Sequence, residues 1–197
     1  MKARITYPLI GLLAVGLAAA DHVSGAVGDP AAAPNQEVSD LLSGIDFVPG
    51  KSTLDQVLTD PEGDLIDLAN DDELDSGLRI RAIRALGLYP GQQTEDALRD
   101  LIAALLAGPS GGATGRDSLL IRAATYALAS VDPLGSVAVI GPLLDHPSRD
   151  LRTDAAHALG LTGQPGAIPL LQERRDRESE GQVLWAINEA LRTLSEM

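Results

Sequence analysis

A chain of 197 residues with 45% hydrophobic content is long enough to bury a core of its own, and its length suits one domain with flanking ends. Aromatic residues make up only 3% while Ala and Leu abound, which argues against a sheet sandwich and for thin helix-to-helix contacts. A formal net charge of −13 opposes nucleic-acid backbones and anionic lipid, and the absence of cysteine excludes disulfides, thiolate sites and lipid attachment through cysteine.

The first segment, residues 1–20, sets Lys2 and Arg4 ahead of an apolar run from Leu9 to Ala20 that ends in small residues, the pattern of a secretory signal. Cleavage after Ala20 leaves Ala18 and Ala20 at the small-residue positions, and Ala26 is the alternative. The apolar run is shorter than the roughly 20 residues that span a bilayer, so no membrane insertion is expected after cleavage. Losing Lys2 and Arg4 makes the mature chain more acidic still. Export without disulfides points to the periplasm or exterior of a bacterium.

Residues 21–50 are rich in Ala, Gly, Pro and Asp with no sustained apolar period, and read as a flexible tether. Within it Val38 to Val48 carries Leu41, Leu42, Ile45 and Phe47, a piece suited to docking on the domain or on a partner.

From Lys51 to the end, apolar residues recur at spacings of three and four between short breaks of Pro, Gly and Asp, which predicts an all-α repeat domain over 51–197 with about nine helices. Thr53–Leu58 and Pro61–Asn70 form the first pair, with Asp60 as N-cap and Pro61 as first helical residue. The run Asn70-Asp71-Asp72-Glu73-Leu74-Asp75 offers oxygen ligands for calcium, but the spacing is not that of an EF-hand. These acids fit better as helix ends, where the dipole favours a carboxylate before an N-terminus.

The internal repeat is the most informative feature. LRIRAIRALGLYP from Leu78 aligns without gaps to LRTDAAHALGLTG from Leu151, matching Ala85-Leu86-Gly87 to Ala158-Leu159-Gly160. LIRAATYALAS from Leu120 and VLWAINEALRT from Val183 fit the same frame, with Ala127-Leu128 and Ala190-Leu191. The anchor alanines 127, 158 and 190 recur at nearly constant spacing, and the longer interval from Ala85 to Ala127 holds GPSGGATG, a loop insertion. In each unit the first helix places Leu151, Ala155, Ala158 and Leu159 on one face, where alanine permits close approach. A turn at Gly163 to Pro165 reverses the chain, and the second helix lays Ile168, Leu170 and Leu171 back on the first. One pair buries too little surface alone, so pairs must stack as an α-solenoid.

Arg152 through Gly160, followed by Gly163, Pro165, Ala167, Ile168, Pro169, Leu170 and Leu171, resembles the HEAT-repeat superfamily, and specifically the short HEAT-like repeats of the phycobilin-lyase type. The likeness covers Leu78 to Leu194 well and Lys51 to Gly77 loosely. It implies a stacked-helix scaffold, and the architecture hosts adaptors as well as a few enzymes. The enzymes' residues are not found here. A bilin lyase works inside the cell, against the signal segment. An iron hydroxylase needs His-Glu pairs, whereas His22, His146 and His157 precede Val, Pro and Ala. A DNA glycosylase needs a basic groove. No phosphate loop or nucleophile elbow occurs, and His157, aligned with Arg84, Tyr126 and Glu189, falls on a variable helix face.

The expected function is therefore non-enzymatic: an exported adaptor that binds a protein partner, with no cofactor, metal or nucleic acid. Extended surfaces of stacked pairs bind other chains, and the second helices are the candidates. TEDALRDLIAALL presents Glu95, Asp96, Arg99 and Asp100, an acidic surface complementary to a basic partner. Val137 and Ile140 lie in a segment, Asp132 to Leu144, with little polar face, which is either a contact patch or a helix buried on two sides. Trp185 aligns with Thr153 off the apolar stripe, as an end-cap contact or a binding anchor. The alternative function is a ligand- or metal-binding accessory subunit of an envelope enzyme complex.

Overall fold

The computed structural model describes residues 34–43, 48–112 and 115–196. The expected signal and both cleavage positions lie outside them. Every regular element among the described residues is helical: α1 (Pro34–Leu42), α2 (Lys51–Val57), α3 (Pro61–Asn70), α4 (Ser76–Leu86), α5 (Gln92–Ala107), α6 (Gly115–Val131), α7 (Pro133–Ile140), a 3₁₀ turn (Gly141–Asp145), α8 (Arg149–Leu161), α9 (Ala167–Arg177) and α10 (Gly181–Glu196). Among the described residues from Lys51 onward there are nine α-helices, as the periodicity predicts. The structure adds α1 inside the segment read as a tether. Its Val38 and Leu42 are fully buried, and it packs on α3 and α4.

The helices form two layers. The repeated first helices α4, α6, α8 and α10 pack side by side in that order, while α3, α5, α7 with its 3₁₀ turn, and α9 pack behind them. Small residues make the first layer possible. Ala85, Ala127, Ala158 and Ala190 are all buried, and Gly87 and Gly160 bring their backbones against Ala127 and Ala190 of the next first helix.

The helix starts follow local chemistry. Asp60-Pro61-Glu62-Gly63 and Asp132-Pro133-Leu134-Gly135 open α3 and α7 in the same way. Each Asp side chain accepts the amide N–H of the glycine three residues on, and each Pro takes the first helical position, where no intrahelical donor is needed. Asp75 caps α4 by accepting from the amides of Gly77 and Leu78, and Asp72 accepts from Arg79 at 2.7 Å. Two members of the acidic run thus serve the α3–α4 junction. The start of α5 has no cap of its own, and Glu62 supplies one from α3, accepting from the Thr94 amide at 3.0 Å and its hydroxyl at 2.7 Å.

The repeated Leu-Arg pair also has a physical role. Arg79 and Arg152 occupy one register position, both are buried, and both donate to carbonyls of the preceding junction: Arg79 to Ala69, Arg152 to His146 and Pro147. Arg152 further donates to Glu178, which also accepts from Arg174 and from the amides of Ser179 and Glu180. These donors outweigh the penalty of burial and hold the Glu178 carboxyl down at about 2.

The segment Asp132 to Leu144 is not one helix. Pro142 cannot donate to a continuing helix, so α7 stops at Ile140 and a 3₁₀ turn buries Leu143 and Leu144.

Candidate functional site

The stripe of the first helices that faces away from the second layer follows from the repeat register. Counted from each anchor alanine, the positions eight, five and one before it and three after it fall on one helix face. On α4 they include Ile80 and Arg84, followed by Leu88; on α6 Leu119, Arg122, Tyr126 and Ser130; on α8 Asp150, Thr153, His157 and Leu161; on α10 Gln182, Trp185, Glu189 and Thr193. Because the four helices lie side by side, these short rows join into a continuous surface.

Three clefts run along it. The first, about 480 Å³, lies between α4 and α6 and includes Arg84, Leu88, Leu119, Arg122 and Tyr126 in its lining. A second, about 380 Å³, lies over α6, α8 and α10 between Tyr126, His157, Leu161 and Trp185. The third, about 290 Å³, lies among Leu119, Arg122, Asp150, Asp154 and His157. Arg122 lines all three, so they are compartments of one groove. Four large apolar side chains stand out to solvent on this face: Leu88, Leu119, Leu161 at 61% and Trp185 at 60% exposed. Exposed apolar side chains gathered on one face are a feature that interaction surfaces share.

The groove's polar residues interact with one another. Arg122 pairs with Asp154 at 3.3 Å and sits 6.0 Å from the centre of the Tyr126 ring. Trp185 meets His157 edge to face with ring centres 5.6 Å apart. Burial raises the Asp154 carboxyl to about 6 even against the pull of Arg122, and the Asp150 charge adds to the rise. Burial likewise raises the Tyr126 hydroxyl and lowers His157, with Arg122 also disfavouring the imidazolium. Such clustering of shifted groups is typical of functional surfaces. It does not assemble a nucleophile with its base, and the described residues contain no group of three or more His, Cys, Asp or Glu placed to hold a metal ion.

The residues singled out from sequence fall in three places. Trp185 stands in the groove, exposed and edge to face with His157. Glu95, Asp96, Arg99 and Asp100 lie on α5 in the second layer. There Arg99 reaches Glu95 at 3.6 Å and Asp96 at 3.5 Å, and bonds Asp132 at the start of α7, bracing two second helices together. Asp96 and Asp100 remain exposed. Ile140 is fully buried and Val137 is partly buried against the same core, so this pair supports the α7 packing; the large apolar residue that α7 exposes is Leu134.

Sequence reasoning placed Arg84, Tyr126, His157 and Glu189 at one register position without recognising that they form a row. The available signal was the pair Leu88 and Leu161, each directly after an Ala-Leu-Gly triplet and each apolar where a helix end usually meets water.

No helix among the described residues is long and apolar enough to cross a membrane. Neither a curated protein nor a solved structure matches the chain. Residues 112–192 match the family of HEAT repeats, a match that covers α6 through α10 and does not distinguish the phycobilin-lyase type. With the two-layered stack of helix pairs and the shared anchor register, this match supports assigning residues 112–192 to the HEAT-repeat superfamily.

Proposed function

We propose that the protein is an exported, non-catalytic adaptor that docks a partner protein along the groove of its first helices. HEAT repeats generally serve protein–protein interaction. The observation that carries the reading is the placement of Leu88, Leu119, Leu161 and Trp185 on one face over the clefts joined by Arg122. Exposed aromatic and aliphatic side chains around a half-buried charged centre are the usual anchors of a protein interface. The signal-like residues 1–20 support export, and the absence of cysteine fits a periplasmic or extracellular bacterial setting.

A second reading keeps the α5 face as the docking surface for a basic partner, because Asp96 and Asp100 are exposed beside Glu95. Affinity capture from envelope extract separates the two. A partner retained by the Glu95→Lys, Asp96→Lys, Asp100→Lys chain and lost with Leu119→Ser, Trp185→Ala supports the groove. The opposite pattern assigns the partner to α5. Capture of no protein by any chain, with a small molecule raising the melting temperature instead, replaces the adaptor reading with that of a ligand-binding accessory subunit.

A further inference from the structure

The groove's charge is divided along its length. Its α8 and α10 end carries Asp150, Asp154 and Glu189, whereas the α4–α6 cleft is lined by two arginines and no carboxylate. In a chain with 28 acidic and 15 basic residues, that lining runs against the composition. Arg84 is exposed and engages no carboxylate among the described residues, while Arg122 across the cleft shares one, Asp154, and is itself half exposed. Much of the remaining lining is apolar, with Leu88 and Leu119 open to solvent at opposite ends of the cleft and Ile80 half-buried. Tyr126 adds a ring beside Arg122.

On the docking reading given above, we propose that this cleft receives an extended, acidic segment of the partner protein. Apolar side chains of Leu or Phe type seat against Leu88 at one end of the cleft and Leu119 at the other, and a carboxylate between them pairs with Arg84 and Arg122. The arginines supply complementarity in two ways: their forked donors match a carboxylate, and their stems extend the apolar wall. The cleft's shape favours a chain over a small molecule. It is open to solvent and continues past Arg122 and Tyr126 into the neighbouring cleft, whereas a small-ligand site encloses most of its guest.

Two synthetic peptides test the idea, Glu-Leu-Glu-Phe-Glu-Leu and Lys-Leu-Lys-Phe-Lys-Leu, each carrying the same uncharged dye and titrated with the protein by fluorescence anisotropy. The acidic peptide is expected to bind at least about tenfold tighter than the basic one, with a preference that shrinks as salt is raised. Arg84→Glu, which removes no side-chain bond among the described residues and whose fold is checked by circular dichroism, should erase that preference, and Arg122→Gln should weaken it. Equal binding of the two peptides, or an acidic-peptide affinity indifferent to Arg84→Glu, overturns the inference. Preference for the basic peptide, lost with Leu161→Ser, Trp185→Ala, overturns it while leaving the groove as the docking face. Binding of neither peptide, with sodium octanoate shifting the methyl resonances of Leu88 and Leu119, overturns both readings in favour of a small amphipathic carboxylate.

Discussion

Gly160 lies so close to Ala190 that a methyl group added to the glycine would stand 2.9 Å from the Ala190 Cα, on the backbone of the neighbouring first helix. Neither element can yield cheaply, because Gly160 is buried inside α8 and Ala190 inside α10. Replacing a helical Gly by Ala ordinarily gains about 1 kcal/mol. Here overpacking of about 1–3 kcal/mol opposes that gain and is expected to win, so Gly160→Ala should lower the denaturation midpoint. At the equivalent Gly87 the added methyl meets the Ala127 Cα at 3.6 Å, an ordinary contact, and is tight only against the Arg84 carbonyl oxygen of its own turn at 3.1 Å, so Gly87→Ala should cost less. Urea melts of the two variants check the ranking; a Gly160→Ala chain as stable as the parent would show that the layer has slack.

Glu178 joins Arg152 and Arg174, and its side chain is only 2% exposed. Glu178→Ala would leave Arg152 buried without its carboxylate, a loss of about 3 kcal/mol or more. The pH consequence has a definite sign. The folded value of about 2 lies below the ordinary 4.5, so the stabilisation is complete above 4.5 and drains away as pH falls toward 2. Chemical denaturation of the parent and Glu178→Gln between pH 2 and 6 should show a steeper acid loss in the parent.

Asp154 works in the opposite direction. Its carboxyl is raised from 3.8 to about 6, so the folded state holds the proton more tightly than the unfolded chain, and stability contributed by this group falls as pH rises from about 4 to 6. Asp154→Asn should flatten the stability profile over that window. A carbon-detected titration of the Asp154 carboxyl with its midpoint near 4 would refute the assignment.

How far the fold could be read before the structure depends on the range of the interaction. Asp60 and Asp132 act within three residues, and a cap followed by Pro is visible in any sequence. The stacking order followed from the anchor alanines because each repeat buries the same small residues. The cap of α5 was not visible, since Glu62 reaches Thr94 across a full unit. The groove was hidden for a related reason. A single helix shows Tyr126 or His157 as an isolated half-polar position, and only side-by-side packing of α4, α6, α8 and α10 turns such positions into one surface. The apolar run in α7 left a contact patch and a helix buried on two sides both open, because local composition does not say what covers it; Ile140 is covered from within the domain.

Trp185 is the chain's one tryptophan, so its fluorescence reports on the groove without interference. Its ring touches His157, and a protonated imidazole at that distance is expected to quench the indole. Burial first, and Arg122 second, hold the imidazolium below the ordinary 6.5, with Glu189 pulling the other way. Emission should therefore drop as pH falls, with a midpoint under 6.5. His157→Gln should abolish the step, and Asp154→Asn should leave it in place. At 60% exposure Trp185 adds little to the core, so Trp185→Ala should change stability by only about 0.5 kcal/mol while weakening partner capture. A large loss of stability with capture intact would make Trp185 a structural end-cap of α10, and the docking surface would then have to be sought away from the α8–α10 end of the groove.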